Sequence, residues 1–164
     1  DAVGTVSTTT DEPSLADDSA MTGGLSNVAE VGQTIYAVSG VDVNTAVACE
    51  VGGNMRLFQR VSYAGTATIG SEGLNDTLCS ASQVSWMTLE GVGTVEDADA
   101  QALMQTLLDN ASYQSTGMSG SGSLHIGLTN GLTLQLLVGD DTVSACGTWS
   151  CPEFFESFHE AIGH

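Results

Sequence analysis

Residues 123–147, SLHIGLTNGLTLQLLVGDDTVSACG, decide the fold. Leu124, Ile126 and Leu128 alternate with Ser123, His125, Gly127 and Thr129, the period of a half-buried strand. Leu132, Leu134 and Leu136 repeat that period. A two-residue loop at Asn130-Gly131 would set Leu128 against Thr133 and scatter leucines over both faces. A three-residue loop, Thr129-Asn130-Gly131, sets Leu128 against Leu132, Ile126 against Leu134 and Leu124 against Leu136. It requires a left-handed residue in third place, where Gly131 stands. Because a one-residue slip turns every side chain to the other face, the leucine pattern selects the longer loop. A second turn, Gly139-Asp140-Asp141-Thr142, then sets Val138 against Val143 and Leu136 against Ala145. His125, Gln135 and Cys146 fall on the opposite face of this three-stranded meander.

A helix is expected on either side of it. Over 97–111, Ala100, Leu103, Met104, Leu107, Leu108 and Ala111 follow the rhythm of a core-facing stripe. Thr94 and Asp97 have the spacing of a capping box. The last helix is expected from Ser150, with Pro152 in its first turn, Glu153 as reciprocal cap, and Phe154, Phe155, Phe158 and Ile162 buried. The segment 114–122 reads as loop.

Upstream, 34–39 and 84–92 read as strands, and 45–51 and 55–63 as a hairpin across Gly52-Gly53-Asn54. A three-residue loop there pairs Val51 with Met55, Cys49 with Leu57 and Thr45 with Val61. The other face then carries Glu50 opposite Arg56, Ala48 opposite Phe58 and Ala46 opposite Arg60. Residues 64–73 read as loop, and Asn75 or Asp76 as the cap of a short helical turn over 77–82. Residues 1–26, rich in Thr, Ser, Asp and Gly without periodicity, read as a flexible tether.

Composition narrows the function classes. The chain has 164 residues, a net charge of −18, 20 acidic residues, two arginines and no lysine. Such a chain offers no cationic footprint to phosphate backbones, so nucleic acid is not an expected partner. Anionic membrane surfaces repel it, and no apolar run approaches the ~20 residues of a membrane span, so residues 1–164 are not expected to insert directly. Asp1 in place of Met points to a processed or trimmed chain, and four cysteines fit an oxidising compartment.

The run from Val95 to Phe158, above all DTVSACGTWSCPEFFESF (residues 141–158), resembles the C-terminal part of uncharacterised extracytoplasmic domains. These occur in membrane-anchored or lipoprotein-like proteins of Gram-positive gut bacteria. The pattern there is a D-A-x-A-L-x-x-L-L helix, a strand pair around a Gly turn, then Gly-Thr-Trp entering a helix. VNTAVACEVGGNMRLFQRVSYAG (residues 43–65) is similar to an upstream strand pair in such proteins. The resemblance covers about two thirds of the chain and implies a cell-envelope location. It carries no activity and no functional residues.

Candidate chemistry is sparse. Cys146 and Cys151, separated by Gly-Thr-Trp-Ser, are expected to form a disulfide, with Cys49 and Cys79 as a second pair or as buried thiols. A helix N-terminus could also activate Cys151, although C-x4-C is not the spacing of thioredoxin-like redox enzymes. His159 and His164 complete a Cys2His2 set on paper, but the spacing is not that of a zinc finger, and no metal or other cofactor is expected. No hydrolase, nucleotide-binding or metalloprotease motif occurs. The one candidate ligand site is Arg56, Phe58 and Arg60, which share a strand face. Their guanidiniums match carboxylates through paired hydrogen bonds, or else each finds an internal acid.

The expected fold is α+β: an antiparallel sheet of about six or seven strands, made of hairpins and a C-terminal three-stranded meander, with two main helices packed on one side. Residues 27–164 form one domain, or two small subdomains, 27–95 and 96–164. The function expected is a non-enzymatic extracytoplasmic binding or sensing module for an unknown protein or small-molecule ligand. The rivals are a thiol/disulfide redox protein using Cys146 and Cys151, and an acidic inhibitor of a basic secreted enzyme.

Overall fold

The structure, a computed structural model, describes residues 1–9, 24–26, 28–60, 73–115 and 117–163. The chain is α+β and divides into two compact units, residues 1–68 and 69–164. The break falls after residue 68 rather than after 95, because the strands at 84–89 and 93–96 belong to the sheet of the second unit.

The first unit is a five-stranded sheet built from β1 (Ala2–Thr9), β2 (Gly24–Ser26), β3 (Thr34–Ala37), β4 (Ala46–Val51) and β5 (Asn54–Gln59), in the order β2-β1-β3-β4-β5. The tether expected over 1–26 does not hold for its first residues. Ala2–Thr9 is a strand, antiparallel to β3 and parallel to β2. Val6 explains it: the side chain is buried with Ala29 and Cys49, and Ile35, Val51 and Phe58 pack around them. One buried residue in a mostly exposed strand anchors it here, because its neighbours pair with β2 and β3. The rest of the expected tether lies mostly outside the described residues.

The second unit holds β6 (Val84–Leu89), β7 (Gly93–Glu96), α1 (Asp97–Asn110), β8 (Ser112–Ser115), β9 (Gly122–Leu128), β10 (Thr133–Val138), β11 (Thr142–Ser144), β12 (Thr148–Ser150) and α2 (Pro152–Ala161). Its seven strands run in the order β7-β6-β9-β10-β11-β12-β8. The central register is the one the leucines select. Ile126 faces Leu134 and Leu124 faces Leu136. Leu128 N–H donates to Leu132 at 2.8 Å, and Gly131 has φ +87°. Val138 faces Val143 across the next turn.

Cross-strand rows then extend through β6 and β7: Val95, Met87, Ile126 and Leu134 lie side by side, and all four are buried. The helices pack on this sheet. Helix α1 lies against β6, β7 and α2, and buries Ala100, Leu103, Met104 and Leu107. Helix α2 buries Phe154, Phe155 and Phe158, with Phe154 edge-on to both others at 5.1 and 5.8 Å. Such aromatic pairs add roughly 0.5–1.5 kcal/mol each beyond burial. The opposite face carries Thr88, His125 and Gln135 in one row.

Three local expectations are replaced. Thr94 does not cap α1: its hydroxyl pairs with that of Thr88 across the sheet at 2.7 Å, and the N-cap is Glu96. The helical turn expected over 77–82 gives way to two 3-10 turns, Leu74–Asp76 and Ala81–Gln83. Ser150 does not start the last helix. Thr148–Ser150 is β12, paired with β11 and with β8, whose last two residues fall in the segment 114–122 expected to be loop. A buried hydroxyl network explains the choice. Thr148 donates to the Gly117 carbonyl at 2.7 Å, and Ser144 donates to the Ser119 carbonyl at 2.8 Å and accepts from its N–H at 3.0 Å. Trp149 adds an indole bond to the Ala145 carbonyl at 2.9 Å and an edge contact with Tyr113 at 5.5 Å.

The face of β9 opposite the helices has one close approach: a Cβ on Gly127 would fall inside the indole of Trp86. Gly127→Ala should therefore lower unfolding stability by about 1–3 kcal/mol, as overpacking does. Urea denaturation followed by tryptophan fluorescence checks it, and the native emission should shift as the indole of Trp86 is displaced.

Candidate functional site

The candidate site lies in the first unit, on the hairpin of β4 and β5. Its register differs from the expected one by a residue. Val51 faces Asn54, Cys49 faces Arg56, Ala48 faces Leu57 and Val47 faces Phe58. The loop is the two residues Gly52 and Gly53, both left-handed with φ +59° and +78°. That is the geometry of the type I′ turn, whose twist matches paired strands. Glu50 consequently faces Met55, not Arg56.

Arg56, Phe58 and Arg60 still alternate to one face, but its character changes. This face is the side of the sheet on which Cys49 and Ile35 sit, so the Phe58 ring packs on the small core instead of standing between two guanidiniums. Arg56 is exposed, and no described carboxylate pairs with it. Arg60 is half-buried, its backbone N–H donating to Thr45 at 2.9 Å. With Phe58 it lines a shallow cleft of about 230 Å³ whose other walls come from Val43, Asn44, Thr45 and Val47. The cleft thus brings Arg60 and Phe58 together with residues from the start of β4.

The other face of the hairpin was not singled out from the sequence. Tyr36, Ala48 and Leu57 form one cross-strand row, and Glu50 and Met55 the next. Met55 is 59% exposed, Leu57 55% and Tyr36 37%. The expected register hides this strip, because it turns Leu57 to the side of Cys49.

All four cysteines are buried thiols. The expected bridge between Cys146 and Cys151 is not made. Cys146 sits in the turn between β11 and β12 with φ +50°, whereas Cys151 follows the far end of β12. The extended run between them separates their Cα atoms by more than about 10 Å at ~3.3 Å per residue. A disulfide needs them within ~7 Å. The Cys151 thiol instead points to the Thr106 carbonyl of α1 at 3.9 Å. Burial raises its pKa, Glu153 adds to the rise, and a backbone bond from Phe154 opposes it. Position at the N-cap of α2 does not make it a thiolate. Cys49 belongs to the first unit and Cys79 to the second, and neither is bridged.

A second cleft of about 230 Å³, in the second unit, brings together Glu90, Asp140, Phe155 and His159. A third, of about 350 Å³ in the first unit, has Glu30, Glu50, Val28 and Val51 in its wall. Among the described residues no three His, Cys, Asp or Glu side chains converge to hold a metal ion. His164, of the paper Cys2His2 set, lies outside them. No described helix is long and apolar enough to cross a membrane. The chain matches no protein-family model, no curated protein and no solved structure.

Burial pushes the Cys79 thiol from an ordinary 9.0 up to about 11. Its contribution to stability is therefore intact below pH 9 and is lost as pH rises towards 11, an effect on the order of 2–3 kcal/mol. The stability difference between the wild type and Cys79→Ala should shrink across that window. Urea midpoints measured from pH 8 to pH 11 on both proteins check it.

Proposed function

We propose that this chain is a non-enzymatic binding module, displayed outside the cytoplasm at the cell envelope, which engages its ligand through the β4–β5 hairpin of the first unit. The observation that carries the reading is the placement of the chain's two arginines. In a chain of net charge −18, both fall on one face of one hairpin, and one of them lines a cleft with an aromatic ring. Guanidinium presents a rigid fork of donors that matches a carboxylate, so the cleft suits a carboxylate-bearing ligand whose apolar part lies against Phe58. The acidic remainder of the surface disfavours anions elsewhere and so concentrates recognition at the hairpin. What supports the location is the lysine-free, acidic composition and the resemblance of residues 141–158 to envelope-associated domains. A redox role for Cys146 and Cys151 has less behind it, since both thiols are buried and they stand at opposite ends of β12.

Succinate, as a small dicarboxylate, is the probe. Titrated into ¹⁵N-labelled protein, it should shift the amides of Asn44, Phe58 and Arg60. Arg60→Gln should weaken that response at least ~5-fold, as expected for loss of a charge-assisted pair. Shifts confined to the second unit, or an unchanged response in Arg60→Gln, would reject the assignment.

A further inference from the structure

The backbone of β5 carries a second kind of recognition. Strand β5 closes the order β2-β1-β3-β4-β5, so its outer edge pairs with no described strand. Which backbone groups it presents follows from the register. The Arg60 N–H donates to Thr45 at 2.9 Å, so residues 60, 58, 56 and 54 turn their backbone groups inwards to β4. The alternate residues turn theirs outwards. Met55 and Leu57 therefore hold N–H and C=O groups on the free edge. Their side chains are the most exposed large apolar groups of the strand. Between them Arg56 projects to the other face, exposed and without a described carboxylate.

We infer that β5 is a strand-addition site that receives an extended segment of another protein, in which apolar residues alternate with an acidic one. The inference rests on the binding-module reading and names its partner class. Backbone hydrogen bonds to Met55 and Leu57 hold the segment, as in β-augmentation. Its apolar side chains lie beside Met55 and Leu57 on one face. On the other face its carboxylate stands next to Arg56, where an opposite charge across strands is favourable. A second copy of this chain does not fit. Two β5 strands paired about Arg56 would set arginine against arginine, and the chains repel each other through a net charge of −18. The single charge of β5 thus works in both directions: it discourages self-pairing and favours a carboxylate at the facing position of the partner segment.

The probe is a blocked heptapeptide in which valines alternate with threonine and a central glutamate. Added in excess to the ¹⁵N-labelled full chain, it should slow hydrogen exchange at the Met55 and Leu57 amides at least tenfold. Replacing the central glutamate by lysine should weaken binding by roughly fivefold, the scale of an exposed ion pair and its reversal. Leu57→Pro removes an outward N–H without touching the ladder to β4, and should abolish binding. Should that variant fold poorly, a peptide N-methylated on its inward-facing amides makes the same test on the intact protein, and must also fail to bind.

Met55 and Leu57 amides already protected without peptide would overturn the inference, since the edge would then be occupied. Equal binding of the N-methylated peptide would overturn it too. A silent peptide with an active succinate response at Arg60 would remove strand addition and leave the binding module standing. Silence of both probes would remove both.

Discussion

The second unit depends on how β9 and β10 are held in register. Three residues, Thr129, Asn130 and Gly131, join them, and the turn closes only because Gly131 takes a left-handed conformation. With that loop in place Leu124 and Leu136 share a row, as do Ile126 and Leu134, and the apolar face is continuous. Everything else in the unit is added to that face. Strand β6 lays Met87 and Leu89 beside Ile126 and Leu124, and α1 and α2 cover the result with Leu103, Leu107, Phe154 and Phe158. Slipping β10 by one residue against β9 would turn Leu134 and Leu136 away from that face, at a cost of roughly 1.5–3 kcal/mol for each buried leucine.

The far side of the same sheet is secured differently. Strands β11, β12 and β8 are short, three or four residues each, and by themselves would be marginal. Buried hydroxyls compensate: Ser144 and Thr148 hold the Gly117 and Ser119 backbone, and no buried side-chain donor or acceptor among the described residues is left without a partner. Trp149 occupies the centre, its indole bonded to Ala145 and its ring edge-on to Tyr113. This arrangement also decides the fate of the thiols. The β12 strand that seats Trp149 is the segment that keeps Cys146 and Cys151 apart.

The first unit has a thin core, centred on Val6, Ala29 and Cys49. A thin core leaves its sheet two-faced, with Tyr36, Met55 and Leu57 in solvent on one side and Phe58 half-covered on the other. The recognition properties proposed for the hairpin follow from that shortage. Apolar side chains that a thicker domain would cover remain available to a partner, beside a backbone edge and the two arginines.

By itself the sequence determined the α+β class, the two helices and the β9–β10 register. Its signal there is redundant: large aliphatic residues alternate on both strands, so only one loop length gathers them on a face. At Gly52-Gly53-Asn54 the same reasoning had no such purchase. Apolar residues occupy both faces of the strands, with Val47, Cys49, Val51 and Phe58 on one and Ala46, Ala48, Met55 and Leu57 on the other, so two registers were equally apolar. Turn geometry decided between them, and with it whether Arg56 met Glu50 or Cys49. Strands β1, β8 and β12 were illegible for another reason. Each is held mainly by pairing and by hydroxyl or single-residue contacts with segments distant in sequence, which periodicity cannot register. The candidate residues could be named from the chain, but their surroundings came from tertiary structure. The face a strand residue occupies depends on its partner's register, and the free edge of β5 depends on which strand ends the sheet.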